Sequence, residues 1–307
     1  MTPFTSHGKL LLTGEYLVLH GAVALALPTK RGQSLTVETW EDHGTYIQWN
    51  AYQPLGSWFA ATLDPATLDV ISTDAQPKAQ RLVQILRALR DLNPDVFHPG
   101  LQFINHMNFD PQWGLGSSST LISNLAQWAK VDPYELLKRT FGGSGYDIAC
   151  AQADSPIFYW LTGDQPNVQT ADFHPPFADK LFFVYQGQKQ SSANEVKAFN
   201  QHWAETDRSS EIQTISQLSL ALPTITYFED FCALLQVHEN ILSQCLGRPP
   251  VQQQFPDFPG TLKSLGAWGG DFLLAATDLS RDEVWTYFRN KGFNPINPIF
   301  PYQDLIL

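Results

Sequence analysis

The sequence predicts an α+β protein built as one large or two ordinary domains. Three observations lead there. The 307 residues are enough to bury a substantial core. Hydrophobic residues make up 43% of them, a globular share that leaves no case for a disordered chain. Apolar and alternating runs are mixed with amphipathic stretches, without strict β-α-β alternation.

In chain order, residues 9–39 read as strands. KLLLT and AVALALP are short apolar runs, and QSLTVETW alternates. GEYLVLHG lies between the first two, bounded by Gly14 and Gly21. Residues 40–75 are polar, aromatic and turn-rich, which predicts hairpins. Residues 76–91 predict an amphipathic helix, with Leu82, Ile85, Leu86 and Leu89 inward and Arg81, Arg87 and Arg90 solvated. LQFINHMNF reads as a strand leading into PQWGLGSSSTLISNLAQW, where Leu121, Leu125, Trp128 and Ala129 recur at helical spacing.

Asp132 and Pro133 read as the N-cap and first position of a further helix, which GGSG ends. A helix restarts from Tyr146 to Gln152, and SPIFYW is a strand. The polar, proline-rich stretch GDQPNVQTADFHPPFADK marks a domain boundary, dividing the chain into residues 1–165 and 166–307. Beyond it come a strand, KLFFVYQG, and helical segments near 193–206, 209–221 and 224–246. LGAWGGDFLLAA is glycine-rich and flows into an apolar strand, and RDEVWTYFRNKG is a last helix. There is no internal repeat.

The net charge of −11 argues against nucleic-acid and anionic-membrane partners. A site for a phosphorylated ligand must then be locally basic. Cys150, Cys232 and Cys245 are scattered, without a C-x-x-C pair, and the eight histidines lack H-x-x-x-H spacing, so no disulfide framework or zinc pattern follows. The N-terminus lacks the basic, apolar and cleavage segments of a signal peptide, and no apolar run approaches the ~20 residues of a membrane span. A reducing, cytoplasmic setting is expected.

The stretch GLGSSST fits two readings. A glycine-led helix start offers unpaired N–H groups and the positive end of a dipole, which together suit a phosphate. A serine N-cap after a flexible turn explains the same residues. No Gly-Lys-Ser/Thr closes the loop, so it is not a Walker A motif, and it lacks the third glycine of the dinucleotide fingerprint.

Four segments place glycine beside a charge or hydroxyl at an element boundary: SHGKLLLTGEY, GLGSSST, GGSGYDIA and GAWGGDF. Their order and separation resemble the GHMP kinase superfamily, over residues 8 to 271. GKLLLTGEYLVLHG looks most like the mevalonate and phosphomevalonate kinases, and GEY leans toward the latter. The resemblance implies a two-domain fold, with an N-terminal mixed βα nucleotide-binding domain and a C-terminal ferredoxin-like α+β domain. It implies ATP and Mg²⁺ as cofactors, with phosphate contacts from Gly114, Gly116, Ser117 and Ser118 and from the third-motif pair Gly269 and Gly270. That third motif also includes Gly266, Ala267 and Asp271.

The same resemblance places the catalytic aspartate at Asp147 and the first-motif lysine at Lys9. Asp147 would accept the acceptor's hydroxyl proton, and Lys9 would pair with it and stabilise the transferring group. Glu15, His20, Lys189 and Ser192 fall at acceptor-binding positions and Ser118 at a metal-binding one; Glu135 joins it as a metal ligand if it substitutes after a one-residue shift, and otherwise the metal relies on serine and phosphate alone. The implied partner is a small carboxylate or a phosphorylated alcohol, bound by a monomer or homodimer.

Plainer roles fit several of these residues. Lys9 suits a strand edge, Asp147 a helix cap, Gly269 and Gly270 a tight turn, His20 a turn and Cys150 a packed core. Lys30 and Arg31 suit solvent or an anionic substrate. Two positions depart from the mevalonate kinase pattern. Its magnesium-binding glutamate falls on Leu136, next to Glu135, and Trp268 replaces a small glycine of the third motif. Trp268 either narrows the acceptor pocket or fills the site. The expected activity is an ATP-dependent small-molecule kinase acting on a mevalonate-like or phosphomevalonate-like acceptor. A diphosphomevalonate decarboxylase-like enzyme and a non-catalytic nucleotide or metabolite sensor are the competing readings.

Overall fold

A computed structural model describes residues 2–40, 44–188, 195–196, 199–200, 207–268 and 271–307. The chain forms two compact units. The first comprises Met1–Gly8, Arg31–Pro111 and Leu115–Gln152, and the second Lys9–Lys30, Gln112–Gly114 and Ala153–Leu307. Two long strands, β1 (Phe4–Leu11) and β2 (Ala24–Thr39), contribute residues to both.

In the first unit the C-terminal part of β2 joins β3 (Ile47–Gln53), β4 (Gly56–Leu63), β5 (Val70–Thr73) and β6 (Leu101–Met107). The strand order is β5-β4-β3-β6-β2. All of these pairs are antiparallel except β3 with β6, where Gln48 lies opposite Gln102 and Tyr52 opposite His106. Alternation along β6 turns Leu101, Phe103 and Met107 inward. Phe103 stacks on Trp49 at 5.3 Å and meets the edge of Trp128 at 4.8 Å.

Helices α1 (Gln76–Leu92), α2 (Ser117–Ala129), α3 (Pro133–Thr140) and α4 (Tyr146–Ala151) complete this unit. The predicted inward face of α1, Leu82, Ile85, Leu86 and Leu89, is buried in one cluster with Ile122 and Leu125 of α2. The arginines of α1 are exposed or half-exposed, as expected, and each also finds a partner. Arg81 donates to the Thr140 carbonyl at 3.0 Å and lies over the Phe141 ring, Arg87 pairs with Asp69 at 2.7 Å, and Arg90 donates to the Ala66 carbonyl at 2.5 Å. Their stems reach neighbouring turns whose carbonyls lack helical or sheet partners. Asp132 caps α3 as expected, its carboxylate accepting the Tyr134 N–H at 2.8 Å with Pro133 in the first turn.

In the second unit β7 (Ile157–Thr162) and β8 (Gln165–Thr170) form a hairpin, and β7 pairs with Ala24–Ala26 of β2. A second sheet holds β9 (Leu181–Tyr185), β10 (Thr261–Ser264), β11 (Phe272–Ala276) and β12 (Ile299–Pro301) in the order β10-β11-β9-β12, antiparallel throughout. Helices α5 (Ser209–Ala221) and α6 (Phe228–Leu246) lie between β9 and β10 in sequence, and α7 (Arg281–Asn290) between β11 and β12. A short helix, α8 (Tyr302–Leu305), ends the chain. Numbered along the chain, the strands stand in the spatial order 4-1-3-2 of a ferredoxin-like unit, as expected. Strands β9 and β11 are buried along their whole length, which is why their sequences run apolar without alternation.

The sequence reading missed three strands: β8, β10 and the three-residue β12. β8 lies in the stretch read as a linker. Its residues are mostly exposed and polar, so no hydrophobic period marks them. β10 is only four residues, Thr-Leu-Lys-Ser, in which Leu262 is the one apolar residue, so no hydrophobic period marks it. Helix α6 begins at Phe228 rather than near 224, because Leu222–Thr224 forms a 3-10 turn around Pro223. Of the helix expected near 193–206, the described residues Glu195, Val196, Phe199 and Asn200 are helical, and the remainder lies outside the described residues.

Candidate functional site

The first unit holds two glycine-led helix starts. Gly116 precedes α2 with φ 92°, and Gly145 precedes α4 with φ 85°. At neither start does the N-cap residue supply a side-chain hydrogen bond. The hydroxyls of α2 divide. Ser119 and Thr120 turn back to the Gly116 carbonyl at 2.9 and 3.0 Å, and Thr120 also donates to Gln33 at 2.5 Å. The hydroxyls of Ser117 and Ser118 have no partner among the described residues, and Ser118 is exposed. Helix α4 packs against α2 and carries Asp147 in its first turn, half-buried, with Oδ1 accepting its neighbour Ile148 N–H at 3.1 Å.

Tyr134 of α3 senses that carboxylate. Burial, followed by the charges of Asp132 and Asp147, pushes its phenol up to about 12. Glu135 is exposed in the first turn of α3, whereas Leu136 is fully buried in the core. The neighbouring positions differ because one helical step of about 100° separates their side chains. Among the described residues there is no group of three or more His, Cys, Asp or Glu side chains placed to hold a metal.

The second unit holds the other glycine segments. At Gly114, φ is +72° and an added Cβ would lie 2.6 Å from the Asp271 carboxyl carbon, so glycine is required there on both counts. The adjacent Gln112 carbonyl accepts the Tyr185 hydroxyl at 2.9 Å, and Trp113 meets Phe300 edge-on at 5.3 Å. The β10–β11 connection runs through Leu265, Gly266, Ala267 and Trp268 to Asp271, and Gly269 and Gly270 lie outside the described residues. Trp268 is 4% exposed in a cluster with Tyr16, Leu17 and Leu242, and has φ +40°.

The turn after β1 carries Glu15, which is 1% exposed. Lys263 Nζ lies 2.5 Å from its Oε1, and His238 Nε2 lies 3.4 Å from its Oε2. Burial raises the Glu15 carboxyl to about 7, against the pull of Lys263. His238 is held well below its ordinary range by burial and then by the Lys263 charge. The neutral ring accepts the Gly14 N–H on Nε2 at 3.0 Å, which leaves its proton on Nδ1.

Comparisons with solved structures cover nearly the whole chain. The Methanococcus jannaschii mevalonate kinase matches with a TM-score of 0.69 at 16% identity, over 97% of this chain and 96% of that one. A Streptococcus pneumoniae phosphomevalonate kinase, in complex with phosphomevalonate and AMPPNP, matches with a TM-score of 0.70 at 16% identity, over 98% and 99%. The chain has the GHMP kinase fold. That fold also includes a D-glycero-D-manno-heptose 1-phosphate kinase from Bacteriodes thetaiotaomicron, which matches with a TM-score of 0.66 at 14% identity, over 98% and 94%. No protein-family model and no curated protein matches the sequence.

Within this GHMP fold the sequence-predicted residues are distributed as follows. Gly116, Ser117, Ser118, Glu135 and Asp147 belong to the first unit, and Lys9, Gly114, Glu15 and His20 to the second. Lys9 is half-buried on β1. His20 is half-exposed, and its Nε2 meets Asn200 Oδ1 at 3.2 Å. Lys189 and Ser192 lie outside the described residues. Lys30 donates to the Gln303 carbonyl at 2.5 Å, Arg31 to that of Asn108 at 3.5 Å, and Cys150 is fully buried. Sequence reasoning did not single out Lys263 or His238. The available signal was a lysine three residues ahead of the Gly266 loop.

Proposed function

We propose that the protein is an ATP-dependent small-molecule kinase that transfers the γ-phosphoryl group to a mevalonate-like or phosphomevalonate-like acceptor. One observation carries the reading furthest: in a GHMP kinase fold, an uncapped, glycine-led helix start with two outward serines packs against a second helix start that bears a carboxylate. That donor set fits a triphosphate. Backbone N–H groups and the helix dipole receive phosphate oxygens, and the serine hydroxyls are hard oxygen donors for Mg²⁺. The glycine contacts assigned to Gly114, Gly116, Gly269 and Gly270 belong to the same proposal.

When bound, Mg²⁺ supplies charge neutralisation for the phosphates. Ser118 and Glu135 are its proposed ligands. Asp147 takes the proton of an acceptor hydroxyl, and Lys9 stabilises charge on the transferring group. Acceptor contacts are assigned to Glu15, His20, Lys189 and Ser192. No helix among the described residues is long and apolar enough to cross a membrane, and a cytoplasmic enzyme of isoprenoid precursor synthesis is the setting this reading supports.

The test is a coupled ADP-release assay with mevalonate, phosphomevalonate, homoserine and galactose. Turnover with one of these, lost in Asp147→Asn while Mg-ATP still binds, is the expected result. A second reading is a nucleotide-binding relative without catalysis. It is favoured by Leu136, whose place in the core leaves no acid at that position. Tight Mg-ATP binding with no turnover of any acceptor would select it.

A further inference from the structure

The turn after β1 carries an unusual amount of backbone strain. Leu17 N–H donates to the Glu15 carbonyl at 2.7 Å, two residues back, with Tyr16 between them at φ 62° and ψ −48°. This is a γ-turn of the positive-φ kind, which is rare and strained in an L-residue. Tyr16 is 6% exposed, and its hydroxyl is buried without a hydrogen-bond partner among the described residues. A strained backbone and an unsatisfied polar group persist only where the surroundings over-determine them, and both features concentrate at functional sites.

The surroundings are specific. Lys263 of β10 reaches Glu15 Oε1 at 2.5 Å and the Ser264 carbonyl at 2.8 Å. His238 of α6 accepts the Gly14 N–H. Next to it on α6, Glu239 accepts from Val251 N–H at 3.1 Å, Ser264 N–H at 3.1 Å and the Ser264 hydroxyl at 2.8 Å, tying the helix to β10. The turn is thus held at two points from elements distant in sequence, Glu15 by Lys263 and the Gly14 N–H by His238. Both Glu15 and Lys263 are withdrawn from solvent, so this pair contributes nothing to solubility or steering. A buried ion pair of this kind is weak evidence for stability, since apolar replacements often do as well. Fixing one geometry is the role that remains.

We propose that Lys263 is a positioning residue for phosphoryl transfer: by neutralising Glu15 inside the second unit, it holds the Gly14–Glu15–Tyr16 turn in the strained form that the acceptor site uses. The proposal rests on the kinase reading above and adds to it a residue that touches neither substrate nor nucleotide.

The test compares the wild type with Lys263→Met and with the double variant Glu15→Gln/Lys263→Met, which removes both members of the pair together and leaves Glu239 its three hydrogen-bond donors. Each carries 3-fluorotyrosine at position 16 for ¹⁹F NMR. The expected result is an acceptor KM raised at least about tenfold in both variants, with the nucleotide KM within about twofold, and a shifted or broadened resonance from residue 16. A purely structural lysine would not split the two KM values. A folded double variant with a wild-type acceptor KM, or a residue-16 resonance unmoved by either change, overturns the proposal. If the wild type turns over no acceptor, the kinase reading fails. The NMR arm then still decides the clamp: an unmoved resonance rejects it, and a moved one supports it.

Discussion

The α-carbon of Gly114 faces the carboxyl group of Asp271 so closely that a Cβ would lie 2.6–2.8 Å from its carbon and both oxygens. The glycine–serine segment and the third glycine segment, 157 residues apart, thus meet within the second unit. Gly114→Ala then suffers twice. The left-handed backbone costs an L-residue roughly 1–2 kcal/mol, and the carboxylate must move or tilt away. Chemical denaturation is expected to show a loss of about 2–4 kcal/mol. Gly114→Ala/Asp271→Ala removes the collision but not the backbone strain, so it recovers only part of the loss. Full recovery would show that the strain costs nothing.

The outward hydroxyl of Ser118 gives a sharper probe of the cation than any acid here. Ser119 and Thr120 are tied to Gly116, so their substitution acts on the helix start, whereas Ser118 has no partner to lose among the described residues. Ser118→Ala is expected to leave thermal stability unchanged and to raise the Mg²⁺ concentration for half-maximal ADP release several-fold. Mn²⁺ titrated in the presence of ATP and followed by electron spin resonance reads the same loss without turnover. An unchanged Mn²⁺ affinity would remove Ser118 from the metal shell.

The order of the glycine segments made the fold legible, because each marks a helix start or a tight strand connection that only a few architectures share. Helices α2 and α4 could be placed from Gly116, Gly145 and the apolar residues that follow them. The Lys263–Glu15 pair was not legible. Its members are 248 positions apart, and Lys263 stands among the polar residues of a short Thr-Leu-Lys-Ser strand, where nothing in sequence marks it as buried. The polar hairpin arm β8 was hidden for the opposite reason: it buries too little to leave a period. For the arginines of α1, periodicity assigned the solvent-side face but not the carbonyl that each long side chain reaches.

Glu15 and His238 make stability depend on pH in opposite senses. The folded carboxyl titrates near 7, above its ordinary 4.5, so it binds its proton more tightly folded than unfolded. Its contribution is complete below about 4.5 and is lost as pH rises through about 7. His238 is depressed, so stability falls as pH drops below its ordinary 6.5, where the unfolded ring gains a proton that the buried ring refuses. Glu15→Gln/Lys263→Met removes the first dependence and keeps the larger part of the second, which burial imposes. Between pH 5 and pH 8 the wild type is therefore expected to lose stability relative to this variant, by denaturation measured at each pH. Parallel curves would mean that Glu15 does not titrate in that window.

Trp268 tests two effects of opposite sign at one position. Its φ of +40° is a conformation that glycine adopts without strain, so Trp268→Gly relieves roughly 1–2 kcal/mol. Against that, the indole is 4% exposed and packed in a cluster with Tyr16, Leu17 and Leu242, and truncating a buried tryptophan costs about 3–5 kcal/mol. Its Nε1 has no partner among the described residues, so no hydrogen bond is lost in the exchange. Packing wins, and the variant is expected to be less stable by about 1–4 kcal/mol. The indole then fills its cluster instead of merely obstructing an acceptor. A Trp268→Gly protein as stable as the wild type, with a broadened acceptor range in the ADP-release panel, would reverse that conclusion and make Trp268 a specificity wall.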